Sequence, residues 1–287
     1  MGGVLSKLED PEFLPYLLRF HFVCLIETFV AYFEDSCVSS SFRVFVSAAQ
    51  KLSHKGRRSG GIICLVSHSI SAWVRQVDCC YDNVLVFRFC GHLFNSDRDV
   101  LLVSVYVPPT GSPYYDNLSC NNGINTLEEC ILQLCEQHDD CFLIVCGDLN
   151  ARTGNCNTGN QDDYMNMRRD FSEFRCSEDS VINEFGRSLL SLCSGFDLQI
   201  LNGTVEGDRH GCFTYISPSG NSVIDYVLVS RDFARFCTSL LVKENVLSTH
   251  LCLELEVEGT VNGHSKRRDC NLHSSKQRRA GLGCRPF

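Results

Sequence analysis

The sequence predicts an α/β fold. Three observations predict it: several short apolar runs bounded by turn residues, one amphipathic stretch leading directly into such a run, and polar side chains stationed where the runs stop. Its 287 residues suffice for one large or two small domains with a sizeable core.

Along the chain, residues 9–19 (EDPEFLPYLLR) predict a short helix, with Pro11 near its start and Leu14, Leu17 and Leu18 on one face. His21–Thr28 predicts a strand, apolar until it stops at Glu27. A carboxylate there is costly to bury alone, so Glu27 takes a partner, a metal or solvent. Phe42–Val46 reads as a short strand and Ser53–Ser59 as a basic loop, followed by a Gly60-Gly61 turn feeding the buried strand Ile62–Val66. Val84–Phe89 and Val100–Tyr106 predict a hairpin across the polar turn Asn95–Asp99. Pro108-Pro109 stops pairing soon after, which leaves the Tyr106 hydroxyl near an edge or end of a sheet.

Ile124–His138 carries Ile124, Leu127, Ile131, Leu134 and Cys135 on one face and predicts an amphipathic helix. A short connection joins it to Phe142–Cys146, an apolar strand that breaks off into Gly147-Asp148-Leu149-Asn150. Asp148 and Asn150 stand two apart, on one side of an extended chain. Strand ends of open α/β sheets are where ligands bind. A carboxylate there can take a proton from water, and a carboxamide can donate to an anionic oxygen. A plain turn is the competing reading of these four residues.

Residues 153–179 read as a long polar loop with one helix over 165–174. Ser188–Cys193 predicts a helix ended by Gly195, and Leu198–Leu201 a strand. Cys212–Ile216 and Val223–Val229 predict a second hairpin about Ser217–Asn221. Asp225 interrupts the apolar run of its strand and needs a hydrogen-bond partner. His250 precedes a last strand, Cys252–Val257, and an imidazole next to a buried Asp would be oriented by it. From Gly259 onward the composition turns to Gly, Ser, Asn and basic residues without periodicity, which predicts a disordered tail over 259–287 behind a domain spanning 1–258.

Charge and cysteine usage narrow the function classes. Net charge is −8, yet the last 29 residues hold seven Lys or Arg against one Asp, so the body is strongly acidic. Such a body is no generic nucleic-acid binder and needs a local basic face or metal ions for that work. No apolar run reaches the ~20 residues of a membrane span, and no secretory signal opens the chain. The 19 cysteines lie mostly in apolar runs and without CxxC spacing. They fit free thiols of a reducing compartment, nucleus or cytoplasm, rather than a secreted disulfide scaffold or a zinc site.

The order of these features resembles the endonuclease/exonuclease/phosphatase superfamily, and more closely the endonuclease domain of LINE-type non-LTR retrotransposons. The segments that carry the resemblance are Cys24-Leu25-Ile26-Glu27-Thr28, Arg58-Ser59-Gly60-Gly61, Tyr106-Val107-Pro108-Pro109, Gly147-Asp148-Leu149-Asn150, Ser222-Val223-Ile224-Asp225-Tyr226 with Thr214 before it, and Ser248-Thr249-His250. Together they run from about Gly2 to Val257. Each motif is weak alone, and the ordered set is specific.

The resemblance implies a four-layer α/β sandwich of two mixed β-sheets packed face to face with helices outside. It implies a monomer that hydrolyses phosphodiester bonds of DNA with Mg²⁺ or Mn²⁺. In that scheme Glu27 ligates the metal. Asp148 orients or deprotonates the attacking water, Asn150 and Tyr106 hold phosphoryl oxygens, Asp225 bonds His250, and His250 meets the scissile phosphate. Thr214 and Ser222 belong to the substrate-binding set. Two departures stand out: the family has a strand bearing an Asn just before the position of Gly2-Gly3, and an Asp where this chain has Thr249. They keep open a weakened or inactive remnant of such a domain. The shared site also leaves open a hydrolase of another phosphate ester.

Overall fold

The computed structural model describes residues 4–52, 56–116, 122–156, 175–244 and 248–259. The helix expected over 165–174 and the tail beyond Gly259 lie outside the described residues. Two β-layers face each other between two helical layers, as expected. The larger layer is a six-stranded sheet built from β4 (Val74–Val77), β5 (Val84–Phe89), β6 (Val100–Tyr106), β7 (Phe142–Asp148), β8 (Leu198–Ile200) and β11 (Asp225–Ser230), in the order β4-β5-β6-β7-β11-β8. The sheet is mixed: β6 and β7 run parallel, and the other neighbours are antiparallel.

The facing layer holds β1 (Phe22–Ile26), β2 (Phe42–Ser47) and β3 (Ile62–Ser67) in the order β1-β3-β2, and a separate pair, β12 (Cys237–Lys243) with β13 (Cys252–Val257). Between the layers lies a core of Ile62, Cys64, Phe87, Ile144, Val229 and Leu240 with their neighbours. Outside the six-stranded sheet, α4 (Gly123–Gln137) and α5 (Glu184–Gly195) bury Ile124, Leu127, Ile131, Leu189 and Leu192 against Val103, Val145 and Leu228. On the far side of the smaller sheet, α2 (Phe13–Leu17) and α3 (Ser36–Ser39) pack Phe13, Leu17 and Val38 against Phe42, Ile63 and Leu65. Fully burying such a side chain contributes ~1.5–3 kcal/mol. β6, β7 and β11 are therefore apolar on both faces and read as continuous runs.

The helix α4 starts where Asn122 caps it, its Oδ1 accepting from the Ile124 N–H at 3.0 Å. That helix makes the crossover between the parallel strands β6 and β7. Gly147 sits in β7 at φ 148°, and a Cβ there would lie 1.8 Å from the Val105 carbonyl oxygen. Only glycine fits where these two strands close up.

The sequence reading differs from the structure at several elements, among them the helix expected over Ser188–Cys193, which begins earlier, at Glu184. The strands β4 and β12 were not expected: β4 has only Val74 buried, followed by exposed Arg75 and Gln76 at a sheet edge, and β12 mixes polar and apolar residues. The second hairpin is tighter than predicted, formed by β9 (Tyr215–Ser217) and β10 (Gly220–Ser222). β11 leaves that hairpin and enters the central sheet between β7 and β8, because its apolar run can be buried there on both sides. The first expected helix is shorter, five residues from Phe13.

Candidate active site

Three of the expected site residues form one row across three strands. In the ladder, Tyr106 of β6 is level with Asp148 of β7, and Asp148 is level with Asp225 of β11. Side chains level in adjacent strands share a face. The facing layer supplies the other two: Glu27 directly after β1, and His250 shortly before β13, where it bridges Tyr215 of the small hairpin.

Glu27 has a left-handed backbone, φ 52°, as does Phe29 at φ 60°. These conformations are held by the Gly60-Gly61 turn, whose carbonyls accept from the Phe29 and Thr28 N–H groups at 3.0 and 3.1 Å. A Cβ on Gly61 would stand 2.7 Å from the Thr28 hydroxyl, and one on Gly60 would stand 2.6 Å from Asn83 Oδ1. The two glycines thus let the loop after β1 fold down and present Glu27 to the site.

The side chains meet. The Tyr106 hydroxyl donates to Glu27 Oε1 at 2.9 Å. His250 Nδ1 lies 3.0 Å from both Asp225 carboxylate oxygens, and its Nε2 lies 4.0 Å from Glu27 Oε2. The His250 ring packs on Tyr215 with centroids 4.9 Å apart. One donor atom from each of Glu27, Asp148 and His250 lies within 4.8 Å of the others. All five expected side chains therefore occupy one locality.

The electrostatics follow from burial and crowding. Asp148 is 3% exposed. Burial, then the negative charge of Asp225, push its carboxyl well above the ordinary Asp value, although His250 and the Asn150 N–H act the other way. For His250, burial alone would lower the imidazole; the hydrogen bond and charge of Asp225, with Asp148 and Glu27, raise it to about 9. Burial and the Glu27 carboxylate raise the Tyr106 hydroxyl far above its usual value, so it keeps its proton. The site gathers three carboxylates, with Glu27 and Asp225 beside the buried Asp148, and an imidazole that holds positive charge at neutral pH. Burial and the Asp225 charge outweigh what His250 offers, so the negative charge of the site is left under-compensated at Asp148. A hard divalent cation fits that deficit, and the oxygen donors of Glu27 and Asp148 suit it.

The remaining expected residues play different parts. Asn150 is not on an extended chain: it has φ 48°, its N–H donates to Asp148 Oδ1 at 2.9 Å and its Nδ2 donates to the Val107 carbonyl at 2.8 Å. The Gly-Asp-Leu-Asn segment is thus both a turn and part of the site, and Asn150 locks the Asp148 carboxylate. Thr214 is fully buried, and its hydroxyl accepts from the N–H groups of Ile224 and Asp225 at 3.1 and 3.0 Å. It positions Asp225 from beneath and offers no face to a substrate. Ser222 is buried in the small hairpin, paired with Tyr215, and its carbonyl accepts from Thr214 N–H. Both residues were expected to touch substrate; the structure places both in the support of the site.

Sequence reasoning missed that support. Arg152 clasps Asp179 with Nε and Nη2 at 2.7 Å each, while Asp179 also accepts from the Val223 and Val181 N–H groups at 3.0 Å. Asn183 Oδ1 accepts from Arg152 N–H and from Gly186 N–H at the start of α5, and its Nδ2 donates to the Asn150 carbonyl. These two side chains tie the segment after Asp148 to the segment before Asp225. Asn202 adds a clamp on β11, with Oδ1 accepting from Val227 N–H and Nδ2 donating to the Asp225 carbonyl. The available signal was Asn183 standing just ahead of a helical run, the mark of an N-cap.

The sheet sandwich and the acidic, His-bearing cleft at its strand ends define a nuclease-type α/β sandwich of the endonuclease/exonuclease/phosphatase superfamily. A family model described as endonuclease-reverse transcriptase matches residues 100–254, more than half of the chain, and the chain belongs to that family. Among curated proteins none matches it. Among solved structures it is similar to the 3′ phosphatase NExo from Neisseria bound to product DNA hairpin, at 15% identity and TM-score 0.60, covering 89% of this chain and 96% of that one. An AP endonuclease from Archaeoglobus fulgidus matches at 14% identity and TM-score 0.58, covering 90% of this chain and 96% of that one. The endonuclease domain of TRAS1, a telomere-specific non-LTR retrotransposon, matches at 19% and 0.54, over 85% and 88%. At these identities the likeness shows the fold. No helix among the described residues is long and apolar enough to cross a membrane.

Proposed function

We propose that this chain is a divalent-metal-dependent endonuclease that nicks DNA, with residues 1–258 as its catalytic domain and 259–287 as a basic tail. The observation that carries the reading is the meeting of Glu27, Tyr106, Asp148, Asp225 and His250 in one acidic cleft. Glu27, next to Asp148, would hold Mg²⁺ or Mn²⁺, and that ion would polarise the phosphate and ease departure of the leaving oxygen. Asp148 orients the attacking water and takes its proton, a role suited to a carboxyl with a raised proton affinity. Asp225 fixes the His250 ring through Nδ1 and supports its positive charge, which leaves Nε2 turned to the phosphate. Tyr106 would turn its hydroxyl from Glu27 to a phosphoryl oxygen, and Asn150 would offer the Nδ2 hydrogen that its bond to the Val107 carbonyl leaves over.

Supercoiled plasmid is the direct test. Nicking is expected with Mg²⁺ or Mn²⁺ and is lost with excess EDTA; nicking that is indifferent to EDTA removes the metal from the scheme. The requirement follows from the crowding of carboxylates, which repel a phosphate unless a cation intervenes.

A second reading, a weakened remnant of such an enzyme, is favoured by Thr249. Its carbonyl accepts from Ile216 N–H at 2.9 Å and so fixes the residue beside His250, but its hydroxyl brings no charge. Thr249→Asp is therefore expected to raise the nicking rate about tenfold, the scale of one outer-shell partner of a metal site. An unchanged rate means that the threonine does not limit this site.

A further inference from the structure

A second chemically distinctive place lies away from the cleft, on the helical side of the six-stranded sheet. The stretch between β4 and β5 carries Cys79 and Cys80, and α4 carries Cys130. Cys79 Sγ and Cys130 Sγ are 3.6 Å apart, with no bond between them. They line an open cleft of about 390 Å³ whose walls include Gln76, Asp78, Tyr81, Gln133 and Gln137. Small polar molecules therefore have access to the pair. Cys130 is buried on a rigid helix, whereas Cys79 is partly exposed in irregular backbone that can yield.

We infer that Cys79 and Cys130 form a reversible dithiol–disulfide site that reacts with hydroperoxides, with Cys79 as the attacking sulfur and Cys130 as the resolving one. Closing the pair from 3.6 Å to a bond of about 2.05 Å asks for a small rotation of the Cys79 side chain. The asymmetry between the thiols has a physical cause. Cys130 is buried and Cys79 partly exposed; the contact between their sulfurs, with a backbone N–H from Tyr81, lowers the Cys79 thiol against burial, while that contact and burial raise the Cys130 thiol. In the first step the Cys79 thiolate attacks one oxygen of the hydroperoxide, the O–O bond breaks, and the departing alkoxide or hydroxide takes a proton. Cys79 is then a sulfenic acid. In the second step the Cys130 sulfur attacks the Cys79 sulfur, the S–O bond breaks, and hydroxide leaves with the Cys130 proton as water. Two thiols have lost two electrons and the hydroperoxide has gained them. A monothiol or dithiol reductant reverses the change.

The neighbouring cysteine supplies an internal control. Cys80 is more exposed than Cys79 but has no thiol partner at comparable distance among the described residues. Simple accessibility would make Cys80 the more reactive of the two, and the geometry makes it Cys79.

The test uses the full chain, reduced and then freed of reductant. It is treated with about one equivalent of hydrogen peroxide, alkylated, digested and mapped by mass spectrometry. The expected product is a peptide pair joined through Cys79 and Cys130, removed by dithiothreitol, absent from Cys79→Ser and retained in Cys80→Ser. A link through Cys80, or over-oxidation of Cys79 without any link, overturns the assignment. A second measurement needs no variant. In isotope-coded alkylation of the untreated protein at neutral pH, Cys79 is expected to react several-fold faster than Cys80, because Cys79 has a thiol neighbour 3.6 Å away that supports its thiolate. Equal rates, or a faster Cys80, overturn it.

Discussion

Asp148→Ala is expected to lower metal-supported plasmid nicking by at least about 10³-fold, the loss of roughly 4 kcal/mol of transition-state stabilisation. The size follows from position. Asp148 is the middle of the Tyr106–Asp148–Asp225 row, it is buried, and one oxygen is held by the Asn150 N–H at 2.9 Å. No other carboxylate in the cleft can move into its place without breaking the Glu27–Tyr106 or Asp225–His250 contact. His250→Ala is expected to cost a similar factor, and the double variant little more than either alone, because groups that act on one phosphate fail together. Nicking that survives both changes at near the parent rate would mean that the cleft is not where hydrolysis occurs. The fold should not suffer: removing Asp148 relieves a buried carboxyl of unfavourable neighbours, so the thermal midpoint is expected to hold or rise.

Asp179→Ala is expected to do the opposite, with the main damage in stability. Asp179 is almost fully buried and accepts four hydrogen bonds, two of them from Arg152. The Arg152 side chain is 30% exposed and keeps some solvent, so the cost is that of the lost charge-assisted hydrogen bonds and the two orphaned N–H groups, about 2–3 kcal/mol, and for a domain of this size the thermal midpoint falls by roughly 5–10 °C. The pH dependence has a definite sign. Burial raises the Asp179 carboxyl, but Arg152 and the Val223 and Val181 N–H groups outweigh it and hold the carboxyl below the usual value. A group depressed in the folded state stabilises fully above its unfolded value of about 3.9 and loses that contribution as pH falls through the folded one. The stability gap between the parent and Asp179→Asn, read by denaturant titration, should be constant from neutral pH to about 4 and narrow below. A gap that widens on acidification would show that the clasp is not carried by an ionised carboxylate.

Several elements were legible because their physics is local. The runs of β5, β6 and β7 are long, apolar and bounded by turn residues, and α4 shows its buried face at helical spacing. The identity of Glu27, Tyr106, Asp148, Asp225 and His250 as one set was legible only from the order of motifs, since nothing local brings residues so distant in sequence together. What the sequence withheld was relational. Thr214 looks like any strand threonine until the strands are in place and its hydroxyl is found beneath the N–H groups of Ile224 and Asp225. Asp179 lies in a polar stretch that resembles a solvated loop, and its burial depends on Arg152 arriving from another segment. The strand β12 escaped notice because its partner β13 decides its pairing and its own alternation is poor.

The level alignment of Tyr106, Asp148 and Asp225 couples chemistry to folding. A strand has only two sides, so if β7 shifts by a single residue against either neighbour, Asp148 swings to the helical side and Gly147 or Leu149 takes its place. No partial version of the cleft exists between those two states. Under the proposed function, nicking activity is therefore an all-or-none gauge of strand alignment in this sandwich. A preparation with half its molecules misaligned should show half the turnover per chain and an unaltered KM.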